Sequence, residues 1–135
     1  MNTFKLEIVT PDGLLYDADA TKIILRTTEG DVGILPRHQD YVAPLSIGVA
    51  RIFTEEGERY GACAGGMVSV SDNTVRVVAS TFEWAEDIDV ARAKKAKEKA
   101  QIRLDNTKRD DYDYRLAEVK LKKSLARLSA SERKV

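Results

Sequence analysis

Phe4, Leu6 and Ile8 alternate with Lys5, Glu7 and Val9, the period of a strand with one face buried, until Thr10-Pro11-Asp12-Gly13 turns the chain. Ile23-Ile24-Leu25, closed by Thr28-Glu29-Gly30-Asp31, predicts another strand. Val49, Ile52 and Phe53 lead into Glu55-Glu56-Gly57-Glu58, which reads as a hairpin tip. Met67-Val68-Ser69-Val70-Ser71 runs to Asp72-Asn73, and Val75-Arg76-Val77-Val78-Ala79 returns. Strands recurring at this short interval, with turn signals between them, predict an antiparallel β-sandwich or barrel. Gly65-Gly66 inside that pattern predicts a bulge or a close backbone approach.

Around Glu86-Asp87-Ile88-Asp89 the period changes from two to about 3.6. Asp87 and Asp89 are both good helix N-caps, and either places an acid at the positive end of the helix dipole. Ala93, Ala96, Ala100 and Leu104 form one small-residue stripe, with Lys94, Lys95, Glu98 and Arg103 opposite. The polar stretch 105–111 is rich in poor helix formers and predicts a loop. Ala117, Leu121, Leu125 and Leu128 supply a second stripe, so two helices can pair as an antiparallel hairpin. Nothing in that loop enforces the turn. A single helix through 89–128, or two helices swung apart, would lie close in free energy, the condition for a ligand-controlled switch. The other reading is a hairpin that is always closed.

Composition sharpens this division. All eight glycines and all three prolines lie in the first 66 residues. Residues 1–85 carry seven Lys and Arg against twelve Asp and Glu, while residues 86–135 carry fifteen against ten. Seven of the nine aromatics lie in residues 1–84, so the front can build a bulky core and the back cannot. The expectation is an α+β chain: a β-sandwich domain over 1–84 and a helical-hairpin domain over 85–135. No apolar run reaches the roughly 18 residues of a membrane helix. The start, Met1-Asn2-Thr3-Phe4-Lys5, lacks the basic and apolar blocks of a signal peptide, so a cytoplasmic chain is expected. Cys63, the single cysteine, reads as a buried strand thiol and excludes disulfide frameworks and multi-cysteine metal sites.

A conventional active site is hard to assemble. His38 is the single histidine, no nucleophile–base pair or metal-ligand cluster is visible, and Gly30-Asp31-Val32-Gly33 lacks the following lysine of a phosphate loop. No catalytic residue and no metal ligand is assigned, and His38 reads as a locally satisfied loop residue. The helices are different. Lys94, Lys95, Lys97, Lys99, Lys120, Lys122, Lys123 and Arg127 form either a solvated face or, where a closed hairpin brings Arg92 and Lys99 toward Lys123 and Arg127, a cluster that needs an anion. That anion is either a polyphosphate between the helices or an acidic partner surface. Nucleic acid is disfavoured because basic and aromatic residues are not interleaved here.

Gly33-Ile34-Leu35-Pro36-Arg37-His38, then Ala64-Gly65-Gly66 with its following strand, then Ile88-Asp89-Val90-Ala91-Arg92-Ala93 occur in this order, between Val9-Thr10-Pro11-Asp12-Gly13 and Arg127-Leu128-Ser129. Across essentially its whole length the chain resembles the epsilon subunit of bacterial F-type ATP synthase, in its ATP-binding bacillus-like form. The resemblance implies a non-catalytic subunit of the rotor stalk, peripheral at the cytoplasmic face of the membrane. Its sandwich would dock on the gamma subunit and the c-subunit ring, with Asp31 and His38 as ring contacts. Its helices would extend toward the beta and alpha subunits and block ATP hydrolysis. ATP, with or without magnesium, would act as a regulatory ligand that holds the hairpin folded. By the same resemblance Ile88 and Asp89 would recognise adenine, Ala93 would allow close approach, and Arg92, Glu83, Lys99, Lys123 and Arg127 would complete the site. Lys99 and Lys123 stand where arginine is usual in such members, and a lysine is a point charge rather than a bidentate fork. Two other readings stand beside this one: a purely structural coupling subunit that binds no nucleotide, and a free-standing adaptor using its basic helices on an acidic partner.

Overall fold

The structure, a computed structural model, describes residues 2–133. Met1, at the head of the N-terminal segment read above, and Lys134 and Val135, the end of the 85–135 segment, lie outside the described residues. Eight strands come first: β1 (Phe4–Thr10), β2 (Gly13–Ala20), β3 (Lys22–Thr27), β4 (Gly30–Ile34), β5 (Tyr41–Pro44), β6 (Ile47–Thr54), β7 (Gly57–Ser71) and β8 (Thr74–Trp84). A single 3-10 turn (Ala85–Asp87) leads to α1 (Val90–Asp105) and α2 (Tyr112–Ser131). This is the expected sandwich followed by a two-helix hairpin. The strand order is β2-β1-β8-β7-β6-β3-β4, with β5 paired to β7. All pairings are antiparallel except that of β1 with β8, which is parallel.

The period-two pattern points its apolar members inward. Phe4, Leu6, Ile8, Ile23, Leu25, Ile52, Val68, Val75 and Val77 are all but completely buried in one core. Residues 57–64 of β7 pair with β6 and residues 67–70 pair with β5, so this long strand changes partner at Gly65-Gly66. Both glycines have positive φ, 71° and 109°, and a Cβ on Gly66 would stand 1.9 Å from the Val78 carbonyl oxygen. The close approach expected there is real, but the β7–β8 register runs through it unshifted. The bulge lies instead between β1 and β2, where Ile8 pairs Tyr16 and Val9 pairs Leu14.

Of the two candidate caps, Asp89 starts α1: its carboxylate accepts from the Arg92 N–H at 3.1 Å, while Asp87 belongs to the 3-10 turn. The helix also stops without glycine or proline. The Asn106 side chain donates to the Ile102 carbonyl at 3.0 Å and the Thr107 hydroxyl to the Arg103 carbonyl at 2.5 Å, satisfying carbonyls that a longer helix would otherwise use. α1 rests mainly on α2, and α2 is the helix that touches the sandwich, through β6 and β7.

The second stripe differs from expectation. Ala117, Ser124, Ala126 and Ala130 are the buried positions of α2, and Leu125 is 45% exposed. Successive steps of four advance a stripe by about 40° each, so Leu125 has drifted off the face that starts at Ala117. The helix also has two neighbours to satisfy, and Ala126 and Ala130 serve the sandwich side. Ala130 packs with Ala62, Ala85 and Ile88, so the end of α2 closes over the connector. Arg59 pins that connector. Its guanidinium lies 3.6 Å from the Trp84 ring centroid and 2.6 Å from Glu86.

Candidate functional site

Between the hairpin and the sandwich, along β6, β7 and β8, lies a cleft of about 710 Å³. Its floor is small and apolar, from Ala62 and Ala64 on β7 and Ile47 on β6, and alanines 96, 100, 117 and 126 line the helices. Phe82 on β8 adds one ring to that floor, and the alanines on the helix side are too short to fill the space between the two layers. Around this apolar interior stand Lys99 and Arg103 on α1, and Lys120, Lys123 and Arg127 on α2. Glu83 is the single carboxylate among the lining residues. It is engaged: Arg127 Nε donates to one carboxylate oxygen at 2.8 Å, and another guanidinium nitrogen reaches the second at 3.5 Å. This pair ties α2 to the last strand of the sandwich. The other four cations have no side-chain ion pair or hydrogen bond among the described residues.

The residues singled out from sequence therefore fall into two groups. Glu83, Lys99, Lys123 and Arg127 come together around the cleft. Ile88, Asp89, Arg92 and Ala93 do not line it. Ile88 is buried beneath Ala130 and Ala85, Asp89 is engaged as the helix cap, and Ala93 is fully buried. Arg92 is exposed one turn before Ala96, on the helix face that lines the cleft further along. Arg103 and Lys120 line the cleft without having been singled out for it. Their spacing to Lys99 (i, i+4) and Lys123 (i, i+3) was the available signal.

Asp31 lies on β4, paired with Arg26 at 3.3 Å. The His38 ring is 2.8 Å from the Gln39 carbonyl through Nδ1 and meets Tyr41 edge-on. No hydrogen bond or ion pair joins Asp31 to His38 among the described residues. Cys63 is buried in the sandwich core, and burial pushes its thiol up to about 12.

A second surface emerges from the strand register. Pro44 pairs Met67, Met67 pairs Val78, Val78 pairs Val9, and Val9 pairs Leu14. Paired residues project from the same face, so these five make one apolar row across five strands. Met67, Val78 and Leu14 are 44%, 46% and 59% exposed. A sandwich with an uncovered apolar row and a basic cleft under a helical hairpin has the features of an interaction subunit.

Family comparison agrees. The profile of the ATP synthase delta/epsilon chain β-sandwich domain matches residues 3–85, and that of the delta/epsilon chain long α-helix domain matches 86–132. The chain belongs to the ATP synthase delta/epsilon family, whose epsilon chains are non-catalytic subunits of that complex. It is 41% identical to the ATP synthase epsilon chain of an Exiguobacterium species over 99% of both chains. Identity to the epsilon chain of Bacillus velezensis is 43%, over 97% of this chain and 98% of the relative. Among solved structures, a chain of the Euglena gracilis mitochondrial ATP synthase superposes with a TM-score of 0.83 at 25% identity, covering 97% of this chain and 82% of that one. The free-standing adaptor is thereby set aside.

Proposed function

We propose that the chain is a central-stalk rotor subunit of F-type ATP synthase, at the cytoplasmic face of the membrane, whose hairpin restrains ATP hydrolysis and is held closed by ATP. The observation that carries this is the cleft: four cations on two helices, without side-chain partners among the described residues, closed on the third side by the sandwich. An anion bound there touches both helices only while the hairpin is closed, so it favours that state by RT ln(1 + [L]/Kd), about 2.7 kcal/mol at a hundredfold excess over Kd. That is enough to tip a balanced pair of conformations. When ATP falls, the hairpin opens and its basic helices reach toward the beta and alpha subunits. Recognition of adenine by Ile88 and Asp89 requires the end of α2 to shift, because Ala130 covers Ile88. Magnesium would arrive with the phosphates, since Glu83 is taken up by Arg127.

The apolar row from Pro44 to Leu14 is the docking face for the gamma subunit in this reading, with Asp31 and His38 serving the c-ring. A purely structural coupling role has one observation in its favour: the Glu83–Arg127 pair ties α2 to the last strand of the sandwich through the protein's own charges.

Calorimetric titration of ATP into the full chain separates the two. Saturable one-to-one binding, weakened in Lys99→Ala and Arg92→Ala, supports the ATP-sensing hairpin. No heat up to millimolar ATP leaves the structural role. In the assembled enzyme, removal of residues 89–135 should raise hydrolysis, and an unchanged rate would end the inhibitory reading.

A further inference from the structure

The charges of the cleft are not spread evenly along it. The two helices are antiparallel, so α1 enters the cleft at the connector where α2 leaves it. Arg127 therefore lies toward the connector, where Glu83 neutralises it. Lys123 and then Lys120 follow along α2 toward the 106–111 loop, and Lys99 and then Arg103 follow along α1 in the same direction. One end of the cleft is neutral and alanine-lined. The other holds four cations whose side chains have no partner among the described residues. Lys122, by contrast, reaches Glu118 at 4.0 Å and lines a separate groove on the other side of α2. Its neighbour Lys120 has no ion-pair partner among the described residues.

Building on the nucleotide reading above, we infer that Lys120 is a further anion-binding residue, placed at the loop end of the cleft beside Lys99, Arg103 and Lys123. Two physical consequences follow from placing like charges in one partly enclosed space. Without ligand, Lys120 repels Lys99, Lys123 and Arg103 and opposes closure. With a polyanion bound, the same ammonium donates charge-assisted hydrogen bonds and favours closure. A residue that merely packs the hairpin cannot have opposite signs in the two states. Lys120 is exposed and helical, so its replacement by alanine leaves the fold intact.

The test is titration calorimetry and thermal melting of the full chain with ATP and with inorganic tripolyphosphate, comparing wild type, Lys120→Ala, Lys120→Arg and Lys94→Ala. Lys94 is exposed and does not line the cleft, so it controls for net charge. Lys120→Ala should weaken binding of both anions by about tenfold while leaving the ligand-free melting temperature unchanged or raised. Lys120→Arg should restore binding, and Lys94→Ala should not disturb it. Unchanged affinity in Lys120→Ala overturns the inference, as does an equal loss in Lys94→Ala. Should wild type bind tripolyphosphate through Lys120 but not ATP, the nucleotide reading fails and the anion site stands. Binding of neither anion to wild type overturns both.

Discussion

The sandwich and the hairpin are held by different means. The sandwich buries Phe4, Leu6, Ile8, Ile23, Leu25 and Ile52 almost completely, and each such side chain contributes about 1.5–3 kcal/mol of burial. The buried positions within the two helices are Ala93, Ala100, Ala117, Ser124, Ala126 and Ala130. Each alanine methyl is worth about one buried carbon, roughly 0.8 kcal/mol. The sandwich is thus stabilised by its own interior. The hairpin depends on docking through Ala126, Ala130 and the Glu83–Arg127 pair.

The largest test of that contrast is a matched pair of truncations. Leu6→Ala should cost about 2–5 kcal/mol and lower the urea midpoint sharply. Leu128→Ala, at a half-buried position of α2, should cost about 1 kcal/mol. Equal losses would mean that hairpin and sandwich form one cooperative unit.

A smaller effect is expected across the junction. Glu83 and Arg127 are 37% and 26% exposed, so solvent screening limits their pair to about 1 kcal/mol or less. Glu83→Gln should speed amide exchange in α1 and α2 while leaving β1, β7 and β8 as protected as before. Faster exchange in the strands as well would dissolve the distinction.

At neutral pH the smallest effect concerns Cys63. Its raised pKa means that the folded state holds the thiol proton more tightly than the unfolded state. Its contribution to stability is therefore complete below the ordinary thiol value of 9.0 and is lost as pH rises toward about 12. Wild type should lose stability relative to Cys63→Ala across that window and resist alkylation at pH 8. Rapid alkylation of the native chain would show that the core beside β7 opens as readily as the hairpin.

Legibility followed burial. β1, β3, β6, β8 and the second half of β7 have alternating buried positions and could be read from their period, whereas residues 61–64 of β7 are buried consecutively. β2 and β4 form the two ends of the strand order, and β5 is four residues long. Along β2 only Ala20 is buried, so it carries no period-two signal. β4 does alternate, but over five residues with two glycines among them, too few side chains for a period to be read.

The change of period near Asp89, its capping carboxylate, the alanine stripe of α1 and the opposite charges of the two halves are local properties, decided by residues a few positions apart. Tertiary structure decided the rest. It brought Glu83 to Arg127 across 44 residues and turned Lys120 and Arg103 into one cleft. Through strand register it also lined Pro44, Met67, Val78, Val9 and Leu14 into a single apolar row. A periodic pattern specifies which face of an element is buried. It does not specify which distant element covers that face, because that choice rests on packing between segments whose separation along the chain leaves no local trace.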